Sequence, residues 1–133
     1  MAVLQAEPNI ASGPVDLVLS NAQTGNGDST NIADRSAGIG QIAGPAGAAL
    51  VITSAIGATP TVTVNIQGSV DGTNFFNIPY ALQATPRTFV VTAITITTAV
   101  TSTYFLQELI PWRYLKLVYS ANTNVTLTVT AYV

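Results

Sequence analysis

From Val125 to Val133 the chain alternates without a break. Val125, Leu127, Val129, Ala131 and Val133 are apolar, and Thr126, Thr128, Thr130 and Tyr132 stand between them. A repeat of two belongs to a β-strand and not to a helix, because successive strand side chains point to opposite faces. Val62, Val64 and Ile66 alternate in the same way with Thr61, Thr63, Asn65 and Gln67. A third run, residues 89–97, carries Phe89, Val91, Ile94 and Ile96, with a break in phase at Thr92–Ala93 that suits a bulge. Shorter strand candidates are 15–20, 49–55, 74–79, 104–108 and 112–120. The β-branched residues behind this pattern, 19 Thr, 14 Val and 11 Ile, make up a third of the 133 residues. They are stiff at χ1 and fit a pleated sheet better than a helix. No segment carries helical periodicity over three turns. The expectation is an all-β chain: one β-sandwich or jelly-roll-like domain, residues 1–133, of about eight short antiparallel strands.

The punctuation agrees with that reading. Asp71-Gly72 falls between two apolar runs and predicts a hairpin turn, with Gly72 supplying the positive φ. Asn122-Thr123-Asn124 predicts a turn between the last two strands. Pro60, Pro79, Pro86 and Pro111 fall at strand borders, where a missing N–H costs no ladder bond. Residues 21–47 are dominated by Gly, Ala, Asn, Ser and Asp, with Ile32, Ile39 and Ile42 as the sizeable apolar anchors. This long Gly/Ala-rich stretch reads either as a surface loop, with one short strand at 39–42, or as an arm that orders on a neighbouring subunit. The N-terminal residues 1–14 invite the same two readings.

The inventory for catalysis is thin. There is no Cys and no His, so neither a thiolate nucleophile nor an imidazole base is available. Two-carboxylate chemistry would draw on Glu7, Asp16, Asp28, Asp34, Asp71 and Glu108, and Asp71 is accounted for by its turn. The run from Gly38 to Ala43 spells G-x-G-x-x-A, but Gly44-Pro45 follows at once and no helix can open there. Asn26-Gly27-Asp28 matches part of a calcium loop without the remaining acidic ligands. Asn124-Val125-Thr126 spells a glycosylation acceptor. No enzyme activity, cofactor or metal is expected.

Charge narrows the partners. Only 8% of the residues are charged, with four basic and six acidic side chains and a net charge of −2. Four cations cannot neutralise the phosphates that a nucleic-acid reader contacts, nor hold an anionic membrane. Residues 1–10 lack the basic and apolar regions of a signal peptide, and the apolar stretch 43–58 is interrupted by Gly, Pro, Ser and Thr. Synthesis in the cytoplasm, without export by the general secretory route, is therefore expected. A sandwich with so few ions must be clad in Thr, Ser, Asn and Gln. Such a surface carries little repulsion between copies and is cheap to desolvate, which suits a dense array. Trp112, Tyr114 and Tyr119 are either core and rim residues or a stacking platform for sugar.

The segment from Val62 through Gln67-Gly68-Ser69-Val70-Asp71-Gly72-Thr73-Asn74-Phe75 to Phe76, with the later Trp112-Arg113-Tyr114-Leu115-Lys116-Leu117, resembles small β-sandwich structural proteins of tailed bacteriophages. The likeness is in particular to the cement or decoration proteins on the outside of the head. The same fragments resemble discoidin-like and carbohydrate-binding sandwiches, although this chain has no evident aromatic and basic ligand cluster. The phage resemblance implies a non-enzymatic virion protein on the outer capsid surface. It would clamp adjacent subunits of the major capsid protein and associate with copies of itself, a homotrimer being favoured. A carbohydrate-binding module and a tail or baseplate subunit are the alternatives. Contacts to capsid and neighbouring copies are expected from the arm and the long loop. Ile10, Ile32, Ile39 and Ile42 would serve as apolar pegs, and Asp28, Asp34 and Arg35 as charged handles.

Overall fold

In the computed structural model the described residues are 2–5, 16–34, 48–106 and 112–133. They form strands and no helix: β1 (Ala2–Gln5), β2 (Asp16–Gln23), β3 (Gly27–Asp28), β4 (Asn31–Asp34), β5 (Ala48–Ser69), β6 (Phe76–Asn77), β7 (Tyr80–Leu82), β8 (Ile94–Ile96), β9 (Thr101–Leu106) and β10 (Tyr114–Tyr132). All belong to one mixed sheet whose central path runs β1-β4-β10-β5-β9-β7.

Two long strands organise it. β5 has 22 residues and β10 has 19, and they pair antiparallel from Tyr114 opposite Ser69 to Tyr132 opposite Ala49. Their apolar alternation continues on both sides of a break. Leu50, Ile52, Val62, Val64 and Ile66 of β5 and Leu115, Leu117, Val125, Leu127 and Val129 of β10 are all buried. Fully burying a side chain of this kind is worth about 1.5–3 kcal/mol. At the break the register shifts twice, between Ser120 and Thr123 and between Thr123 and Val125. Opposite it lie Gly57, Ala58, Thr59 and Pro60. Extra residues in a ladder bend the strand, and Pro60 has no N–H to lose there.

The ribbon therefore has two arms joined at a corner. The inner arm pairs residues 63–69 with 114–120, the outer arm pairs 49–56 with 125–132, and Thr61 opposite Thr123 lies in the break between them. A third ply follows β10 round the same corner. β2 lies on the outer arm, and β3 and β4 lie on the inner one. The backbone turns through positive φ at Ala22 (52°), Thr59 (44°), Ala121 (52°) and Asn124 (54°), one or more residues in each ply. Side-chain amides tie the corner: Asn124 Nδ2 donates to Ala58 O at 2.6 Å, and Asn122 N donates to Asn26 Oδ1 at 2.9 Å. The other margin of β5 carries β9 on the outer arm and β8 and β6 on the inner, with β7 beyond β9. Both arms bury their inward side chains in one common cluster.

Tyr119 links the arms. Its ring is buried in the inner arm, and its hydroxyl donates to Ser20 Oγ of β2, on the outer arm, at 2.7 Å. Ser20 passes its own proton to Gln23 Oε1 at 2.7 Å, and the same oxygen accepts from Thr30 N and Thr30 Oγ1, both at 3.0 Å. Burial pushes the Tyr119 phenol up to about 12.

Several expectations are corrected. The described residues hold ten strands rather than about eight, and β5 and β10 are far from short. The strands expected at 49–55 and 61–67 are one element, as are those at 112–120 and 125–133. The Asn122–Asn124 segment does not reverse the chain, because β10 keeps β5 as its partner on both sides of it. The sheet is not purely antiparallel, since β1 pairs parallel with β4. Of the expected long loop 21–47, residues 21–34 are strand and turn, held by polar side chains such as Gln23 and Ser29 that hydrophobic periodicity does not register. Only Ile94–Ile96 of the 89–97 run is strand, with Val90 bridging to Tyr80.

Candidate interaction surfaces

The outward face of the outer arm is built by register. Residues directly opposite one another in antiparallel strands share a face. Thr128, Thr53 and Thr101 form one row across β10, β5 and β9. Val18, Thr130, Val51 and Thr103 form the next, and Asp16, Tyr132, Ala49 and Phe105 the last. The partners of these residues within each strand point into the core, so the threonines are left facing outward. Thr53 Oγ1 and Thr101 Oγ1 lie 3.1 Å apart, and Thr128 Oγ1 accepts from Ala22 N at 3.1 Å. The result is a neutral face of methyl and hydroxyl groups whose one ionisable carboxylate, Asp16, stands at the rim.

Charge is gathered instead on the inner arm, and there it is paired. Asp34 is buried and accepts two hydrogen bonds from Arg113, Nε to Oδ1 at 2.9 Å and a terminal nitrogen to Oδ2 at 3.0 Å. This fork geometry is the strong form of a carboxylate pair, and it holds the guanidinium pKa above its ordinary value. Lys116 Nζ donates to Asp28 Oδ2 at 3.1 Å and lies 4.1 Å from the centre of the Phe75 ring. Lys116 fastens the third ply to β10, and Arg113, the residue that leads into β10, fastens it just before that strand.

The turn after β5 is closed by Asp71. Its Oδ1 accepts from Thr73 N and Asn74 N, both at 2.8 Å, and Oδ2 accepts from Asn74 Nδ2 at 2.7 Å. The Asn74 and Thr73 amides hold this carboxyl well below the usual carboxylate range. Gly72 has φ 82°, and a Cβ there would meet the Tyr114 ring at 3.2 Å. The loop is wider than a two-residue turn, since Gly68 pairs with Phe76.

Of the contact residues expected from the sequence, Asp28 and Asp34 lie on the inner arm in the two ion pairs, and Ile32 is half-buried in β4. Ile10, Arg35, Ile39 and Ile42 lie outside the described residues, as does the glycine pattern from Gly38 to Ala43. Trp112 and Tyr119 are core residues, 4% and 1% exposed, so neither supplies a face for a sugar ring. The Thr53 and Thr101 rows went unrecognised in the sequence, because alternation marks which residues face outward but not which strands are neighbours. At the corner, Thr24, Ile56, Gly57, Asn124 and Thr126 line an open depression of about 400 Å³ that holds no titratable side chain. Among the described residues no group of three or more carboxylates could hold a metal ion.

No protein-family model and no curated protein sequence matches the chain. Among solved structures it is similar to the SPBc2 prophage-derived protein YomS, with a TM-score of 0.57 and 8% identity over 94% of this chain and 98% of that one. At that identity the likeness is one of fold.

Proposed function

We propose that the chain is a non-enzymatic structural protein of a bacteriophage particle, a decoration protein that binds the outer head surface and clamps adjacent major capsid subunits. The observation that carries the phage assignment is the fold shared over nearly the whole length of a prophage-derived protein. The neutral threonine face supports the decoration role. Four strands at about 4.8 Å spacing and about 20 Å of strand length give a face of about 400 Å². A free, stable complex needs about 800 Å² per partner. A face of half that size holds only where several contacts act together at high effective concentration, as on a preassembled shell. The same reading takes the bent sheet as a two-layered sandwich, supported by the cluster both arms bury, and takes the working unit as a homo-oligomer, a trimer being favoured. The non-enzymatic reading draws on the sequence, which has no Cys and no His, and on three carboxylates, Asp28, Asp34 and Asp71, that are engaged by Lys116, by Arg113 and by a turn.

The test is to locate the chain on intact particles of the virus that encodes it, by antibody labelling and electron microscopy. Label over the head shell is the expected result, and label confined to tails, or absent from particles, overturns the reading. A Thr53→Lys variant, changed at an exposed position, should fold normally and lose head occupancy by about tenfold or more, since the ammonium must be desolvated against a neutral partner.

A further inference from the structure

β1 and β4 are unequal partners. β4 is firmly placed: Ala33 and Asp34 are buried, Arg113 grips Asp34, and Asn31 Nδ2 donates to Val18 O at 3.0 Å. β1 contributes little to the core, with Ala2 and Val3 exposed and Leu4 half-buried. Its attachment is the four-residue ladder from Ala2 opposite Asn31 to Gln5 opposite Asp34, the one parallel pairing among the described strands. Parallel pairs are slightly weaker per residue than antiparallel ones. A rigid open edge is thus met by a lightly invested strand.

We infer that the outer edge of β4 is a strand-exchange site between copies of this chain, taking residues 2–5 of a neighbouring copy in the same parallel register. The inference rests on the reading of the protein as an assembly of copies. The occupant is a second copy because the segment that fits this edge is already written in the chain. A neighbour's Ala2–Gln5 makes the same bonds to Asn31–Asp34 and needs no new complementarity. Gln5 and Asp16 are eleven residues apart in the chain, a covalent reach of up to about 37 Å. Because the bonds are identical, local concentration decides which copy supplies the strand. A tethered strand competes at an effective concentration of about millimolar, which a crowded array of copies matches.

Cysteine trapping tests this directly, since the natural chain has no Cys. Val3 stands opposite Ile32, so a Val3→Cys/Ile32→Cys variant can oxidise either within one chain or between chains. Oxidation at about 1 mM should give multi-chain species on non-reducing gels and by intact mass, in a fraction that rises with concentration. Single chains carrying the 3–32 disulfide at every concentration, or no disulfide at all, overturn the inference. Should the double variant fail to fold, equal mixtures of the two single variants replace it, with the mixed 3–32 dimer expected in excess over either homodimer. Head labelling with only intrachain disulfides would defeat this inference alone. Interchain disulfides without particle association would defeat the proposed function alone.

Discussion

Replacing Tyr119 by Phe removes one buried hydroxyl and leaves the ring in place. At neutral pH the loss is one buried hydrogen bond to Ser20, about 1 kcal/mol. Ser20 still donates to Gln23, so no polar group is stranded. The alkaline behaviour is more telling. The phenol is neutral in the fold, and its pKa rises from 10.0 to about 12. A group raised in this way contributes stability that is whole below its unfolded value and is lost as the pH climbs through the folded one. Linkage gives a loss of about 1.4 kcal/mol by about pH 11 and about 2.3 kcal/mol by about pH 12. The variant lacks this term, while Tyr104, also raised by burial, titrates in both proteins and cancels in the difference. The wild-type advantage of about 1 kcal/mol should therefore vanish or reverse near pH 11. Urea unfolding followed by the fluorescence of Trp112, the single and buried tryptophan, measures both curves. A stability difference that stays constant from pH 7 to 11 would refute the reasoning.

Two further substitutions probe the packing and the corner. A Cβ at Gly68 would lie 3.0 Å from both Ile78 Cγ2 and Trp112 Cβ, so Gly68→Ala should cost about 1–3 kcal/mol by overpacking and alter the Trp112 emission in the folded state. Ala121 sits at φ 52° in the corner, a conformation that costs an L-residue about 1–2 kcal/mol. Ala121→Gly should leave stability unchanged or raise it by up to about 1 kcal/mol in the same unfolding assay, because relief of strain outweighs the extra freedom of the unfolded chain.

What the sequence disclosed depended on where the stabilising contacts lie. The strands at 125–132 and 61–67 were legible because their inward residues are uniformly apolar and their outward ones polar. Their continuity with 112–120 and 49–55 was hidden, because Gly57, Pro60 and the Asn122–Asn124 segment use turn chemistry to bend paired strands rather than to reverse the chain. β3 and β4 were illegible for a different reason. They are secured by polar partners remote in sequence, such as Asp34 with Arg113 and Ser29 with the Leu117 backbone, and no local pattern encodes such pairs. The outward threonines could be identified one by one, but their assembly into rows required the β9–β5–β10 register.

The position of β10 in the order of synthesis has a consequence for how the molecule is made. Four elements, β2, β3, β4 and β5, each take ladder bonds from a strand that the ribosome delivers after all of them. While β10 is missing, the Val- and Ile-rich edge of β5 has no cover, and loop closure must wait for the nested pairing of Ser69 with Tyr114 and then of Ala49 with Tyr132. Nascent chains halted before residue 114 should therefore be the aggregation-prone species, and the translated chain should close in one late event as β10 arrives.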